Sequence, residues 1–136
     1  MQINSKLKGK KCLLDTSALI ALLKKESGYE VIENVIASSA ISSVNLSELV
    51  AVLTRSGVSE QDIDEIISDL VPEIVPFCEA ISIRTGKLAK LTQNYGLSLG
   101  DRACIALGIT LGLPIYTADK VWAELKLENT DIRLIR

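Results

Sequence analysis

Residues 12–23 read Cys-Leu-Leu-Asp-Thr-Ser-Ala-Leu-Ile-Ala-Leu-Leu, and they leave the chain few ways to fold. A short apolar run of strand length meets one acid, Asp15. Two hydroxyls follow, Thr16 and Ser17, and then an apolar segment of helical character. Thr16 or Ser17 is suited to cap that helix by accepting a bond from its first free backbone N–H groups. Asp15 therefore stands where a buried strand ends and a helix begins, which is where open α/β sheets bind ligands. A carboxylate among so many leucines is costly to bury alone. The expected partner is a divalent cation.

The rest of the 136-residue chain must complete such a site, and the composition narrows the means. Histidine is absent. That excludes Ser-His-Asp and Cys-His triads as usually built, His-Glu-x-x-His metalloproteases, and any hydrolysis with imidazole as acid and base. A hydrolase of this composition must work with carboxylates and a metal. A net charge of −2 argues against a protein that coats nucleic acid, though not against one that cuts it. Three cysteines, Cys12, Cys78 and Cys104, are widely separated in apolar surroundings and read as reduced core thiols of a cytoplasmic protein. The longest apolar run, 18–23, is too short to span a bilayer, and no signal-peptide architecture precedes it. With 48% hydrophobic residues, one domain over 1–136 is expected, its polar and basic first ten residues forming a solvated leader.

Periodicity predicts strands at 11–14, 40–44, 73–77, 115–117 and 132–135. Helices are predicted at 16–25, 29–38, 45–55, 59–70, 79–95 and 102–111, with one more through Trp122. In the 45–55 helix, Leu46, Leu49, Val50 and Leu53 form one apolar stripe, while Val44, Ala51 and Val52 form another around Glu48. A helix apolar all round is a buried one. Ala103, Ala106 and Gly108 keep the 102–111 helix slim for close packing. Strands alternating with helices predict an α/β fold, a central mostly parallel sheet with helices on both faces.

Most of the seventeen acids sit on polar faces. Four have a different address. Asp15 and Asp119 follow strand ends, Asp101 opens a helix, and Glu48 lies one turn into the helix after the second strand. Strand ends of one polarity share an edge of a parallel sheet, so the four are placed to converge. Converging carboxylates repel and would take up protons without a cation. Mg²⁺ or Mn²⁺, which favour oxygen ligands and retained water, resolve the conflict and stand in for the missing histidine.

The segments Leu-Leu-Asp-Thr-Ser-Ala-Leu, Ile-Ser-Ser-Val-Asn-Leu-Ser-Glu-Leu, Leu-Ser-Leu-Gly-Asp-Arg-Ala-Cys-Ile-Ala-Leu and Ile-Tyr-Thr-Ala-Asp-Lys-Val-Trp, in that order, resemble the PIN domain. More narrowly, they resemble the VapC-type toxins of prokaryotic toxin–antitoxin pairs. The resemblance implies a PIN-like three-layer fold and a Mg²⁺- or Mn²⁺-dependent endoribonuclease that hydrolyses phosphodiester bonds with activated water. Carried over by motif, Asp15, Glu48, Asp101 and Asp119 would bind the metal. Thr117 would hold the acidic pocket, with Asn45 and Ser17 as polar support. A homodimer is implied too, inhibited by a small VapB-like antitoxin that threads a segment over the site. The leader before the first strand is longer than in many relatives. Candidate RNA contacts are Arg102, Arg84 and Lys87, with Lys90, Lys24 and Lys25.

Other readings fit less well. A haloacid-dehalogenase-like phosphatase needs a second acid where Ser17 stands, and a receiver domain needs paired acids at the first strand. A PIN-like fold that has lost catalysis and only binds would not need all four acids. Trp122 reads as core packing before it reads as a base-stacking platform.

Overall fold

The structure, a computed structural model, describes residues 7–136, so the leader expected over 1–10 lies largely outside the described residues. Five short strands form one sheet: β1 (Cys12–Leu14), β2 (Ser39–Ser42), β3 (Glu73–Val75), β4 (Ile115–Thr117) and β5 (Ile132–Leu134). Their order is β3-β2-β1-β4-β5, and every pairing is parallel. Successive connections run outward from β1 in one direction and then, through β4, in the other. The crevice between β1 and β4 is thus the point where the winding reverses, the place such sheets reserve for ligands.

Alternation along the strands feeds two apolar layers. Leu13 and Ala40 face one, with Val75, Ile81, Ile105, Leu107 and Trp122. Leu14 and Ile41 face the other, with Leu19, Ile32, Leu49, Leu53 and Ile63. The first layer is covered by α5 (Glu79–Lys87) and α7 (Leu99–Leu111), and the second by α1 (Thr16–Lys24), α2 (Tyr29–Val35), α3 (Ser43–Arg55) and α4 (Glu60–Leu70). Trp122 is fully buried in the first layer, as core packing requires. Slimness of α7 matters as expected: a Cβ on Gly108 would lie 2.7 Å from Ile115 Cδ1. No helix among the described residues is long and apolar enough to cross a membrane.

Four local expectations are corrected. The cap of α1 is Asp15 itself, which accepts from Ala18 N at 2.8 Å, while Thr16 turns its hydroxyl to Glu48 and Ser17 turns its own to Asp15. The helix expected over 79–95 breaks after Lys87 into α5, a single turn α6 (Ala89–Thr92) and a 3₁₀ turn, Gln93–Tyr95. Trp122 lies in a 3₁₀ turn, Lys120–Glu124, rather than an α-helix. Finally, α3 is not buried all round. Asn45, Leu49 and Leu53 face the core, whereas Leu46, Val50, Ala51 and Val52 are half-exposed.

Candidate functional site

Each of the four acids is delivered by a separate element. Asp15 follows β1, Glu48 lies on α3, Asp101 is in the first turn of α7, and Asp119 is two residues past β4. All four line one cavity of about 450 Å³, together with Thr16, Ser17, Ile20, Ala51, Val52 and Arg55.

Asp15 is the innermost, 2% exposed. Ser17 Oγ donates to its carboxylate at 2.8 Å, and Thr117 Oγ1 donates to Oδ2 at 2.5 Å. Ser17 Oγ in turn accepts from Ala118 N, and Thr117 Oγ1 from Asp119 N, so backbone beyond β4 fixes both hydroxyls. Burial pushes the Asp15 carboxyl up to about 6; the bonds from Thr117, Ala18 and Ser17 work against that rise, and the charge of Asp101 adds to it.

Glu48 is gripped from three elements. Thr16 Oγ1 donates to Oε1 at 2.9 Å, Asn45 Nδ2 to the same oxygen at 3.2 Å, and Ser98 Oγ to Oε2 at 3.1 Å. Asn45 is fully buried and ties α3 to α1 and to the Gly100 carbonyl, while its own Oδ1 has no hydrogen-bond partner among the described residues. Gly100 makes room for this arrangement, since a Cβ there would overlap the Glu48 carboxylate.

Asp101 does not open α7. It stands third in the helix, behind the cap Ser98, and the pair form a capping box: Ser98 Oγ accepts from Asp101 N, and Asp101 Oδ2 accepts from Ser98 N. Burial raises the Asp101 carboxyl, the Glu48 and Asp119 charges raise it further, and the Ser98 bonds partly offset both. Asp119 is exposed and caps the Lys120–Glu124 turn through Val121 N. Beneath the acids lies Cys104, fully buried; burial lifts its thiol well above the usual range, and Asp15, Asp101 and Glu48 add to that.

The only ion pairs among the described residues are Arg133–Asp131 and Arg136–Glu26, so none of the four acids has a cationic partner. An all-oxygen donor set with unopposed negative charge fits a hard divalent ion. As placed, no three acidic or cysteine side chains among the described residues close on one point. Both Glu48 oxygens are already engaged by Thr16, Asn45 and Ser98. The arrangement therefore suits an ion held by one or two carboxylates and otherwise by water, which is the habit of Mg²⁺.

The basic residues named as candidate RNA contacts, Arg102, Arg84 and Lys87, stand outside the lining of the acid cavity. Arg102 donates to the Thr85 carbonyl at 3.3 Å, and Arg84 to Thr110 Oγ1 at 3.0 Å, nearly the whole length of α7 from Asp101. Lys87 is exposed on α5. None of the three lines the acid cavity, while Arg55, which sequence reasoning passed over, does. Thr16, Ser98 and Gly100 were missed as well. The spacing Ser98-x-x-Asp101 is a capping-box signal in the sequence that would have found one of them.

A family model described as PIN domain matches residues 12–127. Among solved structures, the chain resembles a DNA-bound VapBC from Salmonella typhimurium with a TM-score of 0.72 and 18% identity, covering 93% of this chain and 99% of that one. A toxin–antitoxin complex from Klebsiella pneumoniae gives 0.67 and 23%, covering 88% and 95%. VapBC-5 from Mycobacterium tuberculosis, a member of the VapBC family of toxin–antitoxin systems, gives 0.59 and 21%, covering 93% and 98%. No curated protein sequence matches the chain.

Proposed function

The chain belongs to the PIN domain family, and from that premise we propose that it is a Mg²⁺- or Mn²⁺-dependent endoribonuclease, the toxin of a VapBC-like pair. One observation carries the reading: four carboxylates from four elements line a single cavity at the winding reversal of the sheet, with no cationic side chain among the described residues paired to them.

A divalent ion bound there would supply Lewis acidity, making water a competent nucleophile near neutral pH and offsetting charge on the phosphoryl oxygens. Asp15 and Asp101 are the residues to hold it. Thr117 and Ser17 keep the Asp15 carboxylate in one orientation. Glu48, held between Thr16, Asn45 and Ser98, presents a fixed acceptor that orients attacking water toward the phosphorus. Asp119, exposed at the rim, serves a weaker or second ion site.

The partners follow the same reading. RNA is the substrate, and the chain acts as a homodimer in the cytoplasm. A VapB-like antitoxin has a fitting surface in a second cavity of about 1030 Å³, where Leu22, Leu23, Ile36, Leu70, Val71 and Ile74 offer apolar lining and Glu33, Asp69 and Glu73 outnumber Lys10.

The test is cleavage of a single-stranded RNA in Mn²⁺, beside a DNA strand of the same sequence. Asp15→Asn and Asp101→Asn are expected to lose cleavage while keeping a cooperative melt, and excess EDTA to abolish it in the parent. Full activity in either variant or in EDTA overturns the reading.

A further inference from the structure

The cavity holds more than the acids need. Its wall on α3 is a single face of that helix, Glu48, Ala51, Val52 and Arg55, at the i, i+3, i+4, i+7 spacing that lines residues up. Ile20 of α1, one turn beyond Thr16, stands on the same cavity. Ala51 and Val52 are half-exposed although the core stripe of α3 is close beside them. Arg55 is exposed, and no hydrogen bond or ion pair among the described residues engages its side chain. Among the described residues that line the cavity it is the one cation.

A polyanion approaching four carboxylates meets repulsion, and a cation on the same wall answers it. Arg55 lies two turns from Glu48, roughly 10 Å along the helix axis. Arg55 thus stands at the far end of this wall from Glu48, and the apolar residues between them face the interval. We infer that this wall is a nucleotide subsite: Arg55 binds the phosphate neighbouring the one cleaved, and Ile20, Ala51 and Val52 contact the sugar and base between. The inference rests on the nuclease reading and adds to it a substrate-binding residue and a source of base preference. Arginine suits the role because its planar fork matches two phosphate oxygens at once.

The experiment uses the full chain, Mn²⁺ and single-stranded oligoribonucleotides, with Arg55→Gln, Arg55→Lys, Val52→Ala and Asp15→Asn. In Arg55→Gln, KM is expected to rise about tenfold and to carry the loss in kcat/KM. The slope of log KM against log salt should shrink by about 0.7, the value for one phosphate on a single strand. Arg55→Lys should regain most of the KM, and Mn²⁺ affinity measured by paramagnetic resonance should match the parent in both. Val52→Ala should change kcat/KM unequally, by at least threefold, among oligomers differing only in the base beside the cleaved bond. Unchanged KM and salt slope in Arg55→Gln, with Asp15→Asn inactive, overturns the subsite and leaves the nuclease standing; equal shifts for all four bases overturns the apolar contact. Parent-like cleavage by Asp15→Asn overturns the nuclease reading and the subsite with it.

Discussion

Thr117 Oγ1 donates to Asp15 Oδ2 at 2.5 Å, joining residues 102 positions apart across the β1–β4 seam. The hydroxyl holds a carboxylate that burial would otherwise push toward its neutral form. Thr117→Val removes the donor and keeps the shape. Mn²⁺ affinity at pH 7 should fall by about tenfold, the low end of what such supporting bonds supply at metal sites. Thr117→Ser should hold affinity near the parent. Titration followed by paramagnetic resonance reads both, and equal affinities in Thr117→Val and the parent would remove the bond from the account.

Asp15 also sets a pH dependence in the metal-free protein. Its carboxyl is raised from 3.8 to about 6 on folding. Between those values the folded chain keeps a proton that the unfolded chain has released. Stability therefore falls as pH rises through that window, by about 3 kcal/mol in all. Below the window the penalty is absent; above it the penalty is complete. Thermal melts in EDTA should show Tm declining from about pH 4 to pH 6, a slope that Asp15→Asn flattens and Mn²⁺ reverses near neutrality. A parent whose Tm rises across that window by the same amount as Asp15→Asn contradicts the burial of this charge.

Gly100 tests the grip on Glu48. Alanine is the better helix former by about 1 kcal/mol, yet its Cβ would occupy the place of the Glu48 carboxylate. Gly100→Ala should melt within a few degrees of the parent and cleave at least tenfold more slowly. Cleavage at the parent rate would mean that Glu48 works equally well from another position.

Ser98 has two roles, and two substitutions separate them. Its hydroxyl caps α7 and donates to Glu48 Oε2. Ser98→Ala loses both, with about 1 kcal/mol from the cap. Ser98→Asp keeps a capping oxygen but sets a third carboxylate against Glu48 and Asp101. Stability should thus recover in Ser98→Asp while activity stays low. Parallel recovery of both in Ser98→Asp would reduce Ser98 to a cap alone.

Much of this was legible beforehand because it follows from local chemistry. The apolar run before Asp15, and the strand-then-acid pattern repeated at Asp119, place both residues on one sheet edge without any knowledge of packing. The errors are of another kind. Glu48, Ala51 and Val52 looked like part of a buried helix because apolar residues facing a cavity cannot be told from apolar residues facing a core by spacing. The break after Lys87 is invisible to periodicity, since Ile81 and Thr85 before it and Leu88 and Thr92 after it keep one buried face at helical spacing. For Arg84 and Lys87, which share a helix face, only the tertiary arrangement shows that neither lines the acid cavity, and that Arg55 does.

The sheet order has a consequence for a chain still being made. β1 lies between β2 and β4, so Asp15 is bounded on one side by a strand made soon after it and on the other by a strand made much later. A nascent polypeptide ending before Thr117 holds the first acid with its deepest support missing and its rim open. Under the nuclease reading the growing chain stays harmless to the messenger that encodes it until β4 has been made.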